Sequence, residues 1–331
     1  MSAAAGKSEA SRTGSAEHQS GPLRGPLSQH WLVASRSDAT CERGPFKRIV
    51  PTTIIDGINT RYDVLGSGPP LLMMSPGGFD ATIEKWRTQG VYVRLKLLDH
   101  LPQQYTCIVY DRRESGESGG RVEHITWESY VAQARGLLDH LHIDRAHIMG
   151  ACMGCSPAMA FGVAHPQRTR SLVLYWPVGG AHYRMQGHAR IAEHLAYVDR
   201  QGLHGVVALV ASEGKTYNQD PRGGLWASVI RRDAAFATEY LRLHVEHYEE
   251  LVMATRDTLF DRDTSPGAEP EELMRLDIPA FVVPGHDKSH ATSAARYVEE
   301  CLPRAEYWDI PVDEQTEANV PPRILEFLHR A

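Results

Sequence analysis

The chain has no long apolar segment and no excess of basic residues. Its apolar runs stay well short of the ~18 residues that a membrane-spanning helix requires. Lysine and arginine number 35 against 41 aspartates and glutamates, a net charge of −6, so nothing favours a nucleic acid or a membrane surface as a partner. With 331 residues, 42% of them hydrophobic, the chain is long enough to bury a full core.

Cysteine is also scarce, and its spacing disfavours two common roles. An odd number of cysteines and the lack of an apolar leader argue against the disulfide scaffold of a secreted protein, so we expect a reducing, cytoplasmic setting. A zinc site needs a second pair of ligands, and there is no second Cys-x-x-Cys, so we expect no metal. A redox switch formed by Cys152 and Cys155 remains an alternative. The five cysteines are Cys41, Cys107, Cys152, Cys155 and Cys301.

What is present is a short apolar strand followed by Gly150-x-Cys152-x-Gly154 and a run of small residues. Strand, tight turn and helix form the context of a nucleophile elbow, with cysteine where serine is usual. Cys152 would lie at a helix N-terminus, where backbone N–H groups favour a thiolate. The N–H of Met153 would face the oxyanion formed during attack. The alternative is a buried cysteine that merely packs between two glycines.

Three further motifs appear in a fixed order around this elbow. Strand Leu71–Ser75 leads into Pro76-Gly77-Gly78-Phe79; strand Tyr105–Tyr110 leads into an Asp-Arg turn, Asp111–Gly120; and strand Ile278–Pro284 leads into Gly285-His286-Asp287. Short apolar strands that alternate with helices predict a parallel sheet covered by helices on both faces.

From residue ~45 onward, these motifs together resemble the α/β-hydrolase superfamily. The resemblance implies an α/β-hydrolase fold, a mostly parallel twisted sheet with helices on both faces and an inserted helical cap. It implies that the glycine-rich loop supplies the second oxyanion donor, Gly78 or else Phe79, beside Met153. It also implies that Asp287 is the acid of the triad; the alternative is that Asp287 only caps the next helix.

The expected organisation has three parts. Residues 1–45 are rich in serine, alanine and glycine and predict a disordered tail. Residues 46–176 and 273–331 predict the α/β core, and residues 177–272, where helical patterns dominate, predict the cap.

One part of the superfamily pattern is missing. Between the last strand and the last helix, where the superfamily carries its catalytic histidine, the segment 310–319 has none. A thiol suffers less from this loss than a hydroxyl, but activation of water does need a base. The candidates are His286 or His290 beside Asp287, His182 from the cap, and Glu314 or Asp313 at the vacant position.

Two functions follow from these motifs. The first is a cofactor-independent hydrolase that uses Cys152 against an ester, lactone, thioester or carbon–carbon bond of a small, partly apolar molecule. The second is a ligand-binding protein or pseudoenzyme that keeps the pocket but has lost the histidine. The expected partner is a small-molecule substrate rather than nucleic acid or membrane, and association into a homo-oligomer stays open.

Overall fold

The structure is a computed structural model and describes residues 50–331; the predicted tail, residues 1–45, lies outside them. Eight strands form one sheet in the order β1-β2-β4-β3-β5-β6-β7-β8. β1 and β2 run antiparallel to their neighbours and all later pairs are parallel. The strands are β1 Thr52–Ile55, β2 Ile58–Leu65, β3 Pro70–Met74, β4 Thr106–Tyr110, β5 Ala146–Ala151, β6 Thr169–Tyr175, β7 Ala280–Val283 and β8 Ala305–Tyr307.

Helices cover both faces of the sheet, as the alternating pattern predicts. The helical segment over residues 90–100 is divided into two short helices, which meet at Lys96, whose φ is 48°. None of the helices in the described range combines the length and the apolar character that crossing a bilayer requires. The helices are α1 Lys85–Thr88, α2 Gly90–Leu95, α3 Leu97–His100, α4 Trp127–His140, α5 Cys155–Ala164, α6 Ala181–Glu213, α7 Ala227–Arg232, α8 Ala234–Tyr240, α9 Val245–Leu259, α10 Pro270–Leu273, α11 Thr292–Cys301 and α12 Val320–Arg330.

The central strands are buried on both faces, and successive side chains enter different cores. On β3, Leu72 and Met74 pack with α4, α5 and α11, whereas Leu71 and Met73 pack with α2, α3 and α12. This follows from the two-residue period of a strand, which sends neighbouring side chains to opposite faces. The elbow that follows β5 is therefore anchored to a sheet that is buried on both faces, and not to loops alone.

The chain between β6 and β7 contains only helical elements, α6 to α10. A third apolar cluster joins the buried faces of α6, α7, α8 and α9 to Phe79, Cys152 and Met153 at the carboxyl edge of the sheet. The longest helix, α6, is broken at Gly202, which has a φ of 64°. Among the amino acids, glycine adopts such a positive φ with little energetic cost. This helical segment thus lies against the end of the sheet where the elbow is.

A buried histidine, His194, links separate parts of this helical segment through hydrogen bonds. The imidazole of His194 is fully buried; its Nδ1–H donates to the Arg222 carbonyl at 3.0 Å and its Nε2 accepts from the Tyr248 hydroxyl at 2.6 Å. Burial lowers the pKa of His194 to about 4, because the charged ring would lose its hydration. The neutral ring is thus part of the packed structure.

Acidification is therefore expected to weaken the fold through His194. The unfolded chain takes up this proton near pH 6.5 and the folded chain only near pH 4, so stability falls as the pH drops through that window. The loss is at most about 3 kcal/mol. Urea unfolding at pH 7 and pH 5 would measure it: His194→Gln should show a smaller drop than the wild type, whereas the exposed His204→Gln should match the wild type. Equal drops in all three would contradict the prediction.

Candidate active site

The predicted nucleophile elbow consists of β5, one strained residue and α5. Cys152 has φ 55°, a left-handed backbone that non-glycine residues rarely adopt. A Cβ on Gly150 would lie 2.4 Å from the Gly154 carbonyl oxygen, and one on Gly154 would lie 2.3 Å from the Met74 carbonyl oxygen. Only glycine fits at either position, so these two residues let the chain hold Cys152 at the top of the sheet.

The second component is a tight turn after β7 that carries both Asp287 and His290. Nδ1 of His290 lies 2.8 and 2.9 Å from the two Asp287 carboxylate oxygens. The same carboxylate accepts the backbone N–H of Ser289 at 2.8 Å and that of His290 at 3.0 Å. The hydrogen bond from His290 is the main cause that lowers the pKa of Asp287, to about 2, so the carboxylate is charged.

The other ring nitrogen of His290, Nε2, is buried, and the ring lies in the same cavity as Cys152 and interacts with it. Burial favours the neutral ring, but the Cys152 thiolate and Asp287 outweigh it and raise the pKa of His290 to about 10. Burial likewise raises the pKa of the Cys152 thiol, and the nearby imidazolium outweighs this and lowers it below the ordinary value. Each charge stabilises the other, which favours the thiolate form of Cys152 and the imidazolium form of His290.

The glycine-rich loop after β3 faces the same sulfur. Backbone N–H groups of Gly77 and Met153 point at the Cys152 sulfur and help to lower its pKa. Gly77 and Gly78 have φ of 120° and 58°. The Asn218 side-chain amide donates to the Gly77 carbonyl, and the Arg112 guanidinium donates to that of Gly78. The role of the Gly78 N–H as oxyanion donor, expected from the sequence, stays a prediction. The sequence analysis did not name the N–H of its neighbour Gly77.

A cavity of about 260 Å³ opens above Cys152 and His290. The α/β core contributes the glycine-rich loop and Phe79 to the cavity wall. The helical segment between β6 and β7 contributes both apolar and polar side chains. Its wall is largely apolar with a few polar groups, as in sites for small organic ligands. The residues contributed by the segment between β6 and β7 are Val178, Tyr183, Gln186, Gly187, Arg190, Tyr217, Asn218 and Phe260.

Of the five candidate bases, the structure brings only His290 to the cavity. The ring of His286 points away, with Nδ1 3.1 Å from the Thr292 hydroxyl. His182 and Glu314 are both exposed, on α6 and on a short turn after β8, and neither lines the cavity. Asp313 beside Glu314 is exposed as well.

A glutamine occupies the segment where the superfamily has its histidine. Gln315 is fully buried, and its amide donates to the carbonyls of Pro284 at 3.0 Å and Ile310 at 3.2 Å. Its side-chain oxygen accepts from the Trp176 indole N–H at 2.8 Å and from the Tyr175 hydroxyl. With every donor and acceptor in use, the side chain ties β6 to the ends of β7 and β8 and has no free group for catalysis.

Cys155, the partner of the redox alternative, has a different environment from Cys152. Its thiol donates to the carbonyl oxygens of Gly150 at 3.2 Å and Tyr175 at 3.5 Å. Burial raises its pKa well above the ordinary value. Both residues are free thiols, and of the two only Cys152 lines the cavity.

Residues 70–198 match the sequence model of the α/β-hydrolase fold family. Over 125 residues, the chain is 30% identical to the dihydrolipoyllysine-residue acetyltransferase component of the acetoin cleaving system of Cupriavidus necator, covering 38% of this chain and 31% of that protein. Over another 125, it is 31% identical to 2-hydroxy-6-oxo-2,4-heptadienoate hydrolase of Pseudomonas putida, covering 37% and 42%. The chain thus spans less than half the length of these curated relatives.

The fold itself matches over a longer stretch. The crystal structure of the enol-lactonase from Burkholderia xenovorans superposes with a TM-score of 0.54 at 19% identity, covering 84% of this chain and 100% of that one. At this identity the likeness speaks for the fold alone. The sheet order, the left-handed residue after β5 and the family match agree with it. Residues 70–198 thus resemble the α/β-hydrolase fold family, and residues 50–331 have the α/β-hydrolase fold.

Proposed function

We propose that this protein is a cofactor-independent hydrolase with a cysteine nucleophile. Cys152 attacks the substrate, His290 transfers the proton and Asp287 orients His290. The observation that carries the proposal is the strained backbone of Cys152 beside a buried imidazole whose other nitrogen is held by a carboxylate. Nucleophile, base and orienting group in this order are the arrangement that covalent acyl transfer requires.

In the first half of the reaction, the thiolate forms a bond to the carbonyl carbon of the substrate. The negative charge moves to the carbonyl oxygen, where the N–H of Met153 and an N–H of the Gly77–Gly78 turn stabilise it. As the carbonyl reforms, the bond to the leaving group breaks and the His290 imidazolium gives that group its Nε2 proton. The products are a thioester on Cys152 and the protonated leaving group.

In the second half, the neutral ring of His290 takes a proton from water as its oxygen attacks the thioester. The tetrahedral intermediate then expels the Cys152 thiolate and releases the carboxylic acid. The thiolate and imidazolium are thereby restored, so the cycle closes with water as the only co-reactant. Asp287 keeps the Nδ1 proton in place throughout, and Nε2 is left to exchange the other proton.

The substrate we propose is small and partly apolar, with an ester, lactone, thioester or carbon–carbon bond to be cleaved. The cavity of about 260 Å³, with Phe79, Tyr183 and Phe260 in its wall, supports this. The names of similar proteins include a dienoate hydrolase and an enol-lactonase, which also supports it. We further propose that residues 177–272 act as a cap that selects this substrate, because most of the apolar wall comes from them.

Intact-protein mass spectrometry after exposure to 4-nitrophenyl acetate would test the proposal. An acetyl group, about 42 Da, should appear on the wild type within the first turnovers and then disappear as water releases it, and Cys152→Ala should acquire none at that site. A label on the wild type that never turns over would indicate a defective second half. No label and no turnover in the wild type would favour the ligand-binding alternative.

A further inference from the structure

The cavity wall contains a cation that the proposed chemistry does not use. Arg190 extends from α6, one wall of the cavity. One of its terminal nitrogens donates to the Tyr217 carbonyl, and its guanidinium carbon lies 4.9 Å from the centre of the Tyr217 ring. These contacts fix the side chain, and they use one of its five N–H groups.

No carboxylate of residues 50–331 neutralises this cation. Arg190 forms no ion pair within 4.0 Å among the described side chains, and Glu193, one turn further along α6, makes none with it. The described wall also contains no Asp or Glu. A guanidinium in a partly desolvated cavity without an anionic partner is unfavourable by itself.

The other charges around the cavity balance one another. Cys152 and His290 together carry no net charge, either as thiol and imidazole or as thiolate and imidazolium, and the Asp287 carboxylate lies behind His290, outside the wall. Behind Gly78 and Met153 lies Arg112, also outside the wall, which adds a buried positive charge. Arg190 therefore leaves the open space with an excess of positive charge.

From this geometry we infer that the substrate carries a carboxylate, which Arg190 binds while the scissile bond lies at Cys152. The planar fork of a guanidinium matches the two oxygens of a carboxylate. Asn218 and Gln186 in the same wall offer further amide groups to that end of the substrate. This inference rests on the proposed function and names Arg190 as the residue that determines specificity.

Matched esters would test the inference by charge alone. Mono(4-nitrophenyl) adipate and 4-nitrophenyl hexanoate share their leaving group and six-carbon chain and differ in a terminal carboxylate. A second pair, 4-acetoxybenzoate and 4-acetoxybenzamide, places the charge on the leaving group instead. The wild type should prefer the charged member of one pair by about tenfold to a hundredfold in kcat/KM, and the pair that shows this tells which half of the substrate faces Arg190.

Variants of Arg190 separate recognition from structure. Arg190→Gln should reduce the charged-to-neutral ratio of kcat/KM to about one, and Arg190→Lys should restore part of it. Arg200→Gln, on an exposed position of the same helix, is the matched control and should keep the wild-type ratio. A purely structural role for Arg190 would lower both rates together and leave the ratio unchanged, and that result would overturn the inference.

An inert ligand keeps this test independent of turnover. Calorimetric titration should show that adipic acid monoamide binds the wild type at least tenfold more tightly than hexanamide, and that Arg190→Gln removes the difference. If the esters are not cleaved but this difference in binding is found, the proposed function fails and the anion site stands. If the neutral ester is cleaved through Cys152 and neither charge preference nor binding difference is seen, only the anion site fails.

Discussion

Cys152→Ala is expected to lower kcat/KM for an activated ester such as 4-nitrophenyl acetate by about 10⁴-fold or more. The variant keeps the oxyanion donors and the His290–Asp287 turn but has no atom that can form the covalent bond. Loss of a nucleophile from a preorganised site costs several orders of magnitude, and what remains comes from binding and the oxyanion donors. Initial rates across substrate concentration, corrected for spontaneous hydrolysis, give the ratio directly.

Cys155→Ser is the matched control for this substitution. Its hydroxyl can donate to the Gly150 and Tyr175 carbonyls as the thiol does, and the residue does not line the cavity. The control should therefore retain turnover. Equal losses in both variants would mean that the effect is structural or that the two thiols act together in a redox switch; retained turnover in Cys152→Ala would remove Cys152 from the mechanism.

His290→Asn is expected to lower kcat by about 10³-fold, because one ring both stabilises the thiolate and transfers the proton. General acid–base groups contribute about 10²- to 10⁴-fold. The imidazolium is the largest favourable influence on the thiolate of Cys152, so its removal raises the pKa of the thiol. Alkylation of Cys152 by iodoacetamide should then be about tenfold slower or more at pH 6, and the difference should shrink at pH values where the thiol ionises by itself.

The pH dependence provides a signature that a folding defect would not produce. Wild-type turnover should decline on the alkaline side as His290 loses its proton near pH 10, and this limb should be absent from the residual activity of His290→Asn. His286→Asn is the matched control, since His286 lies in the same turn with its ring at Thr292. A wild-type rate of alkylation in His290→Asn at pH 6 would refute the thiolate–imidazolium pair.

Much of the fold was predictable because its signals are local. An Asp-Gly pair between two strand-like runs indicates a hairpin, and Asp56 and Gly57 both have positive φ between the paired strands β1 and β2. The strands around Met73, Ile148 and Val173 are buried on both faces and therefore appear as uninterrupted apolar runs. The break at Lys96 was not predictable, because a lysine with left-handed φ breaks a helical pattern without any glycine or proline to mark it.

The residues of the site were predictable where a sequence motif fixes the backbone. They were not predictable where tertiary contacts determine which side chain reaches the cavity. The glycines around Cys152 indicate a turn, since no other residue fits there. Spacing alone could not choose between His286 and His290, because both lie within three residues of Asp287 and only the turn geometry aims one ring at the sulfur. Arg190 and Asn218 gave no signal, since they reach the cavity through the packing of α6 and the segment after it.

On this proposal, the base His290 and the acid Asp287 lie three residues apart in one turn. A single short segment of the chain therefore supplies both groups to the site. The stretch between β8 and α12 is then released from catalysis and can accept any sequence that preserves the ties made by Gln315. A survey that demands a histidine in that stretch would discard this chain as inert. A survey for Asp-x-x-His after the preceding strand, joined to a Gly-x-Cys-x-Gly elbow, would retain it and collect others built on the same plan.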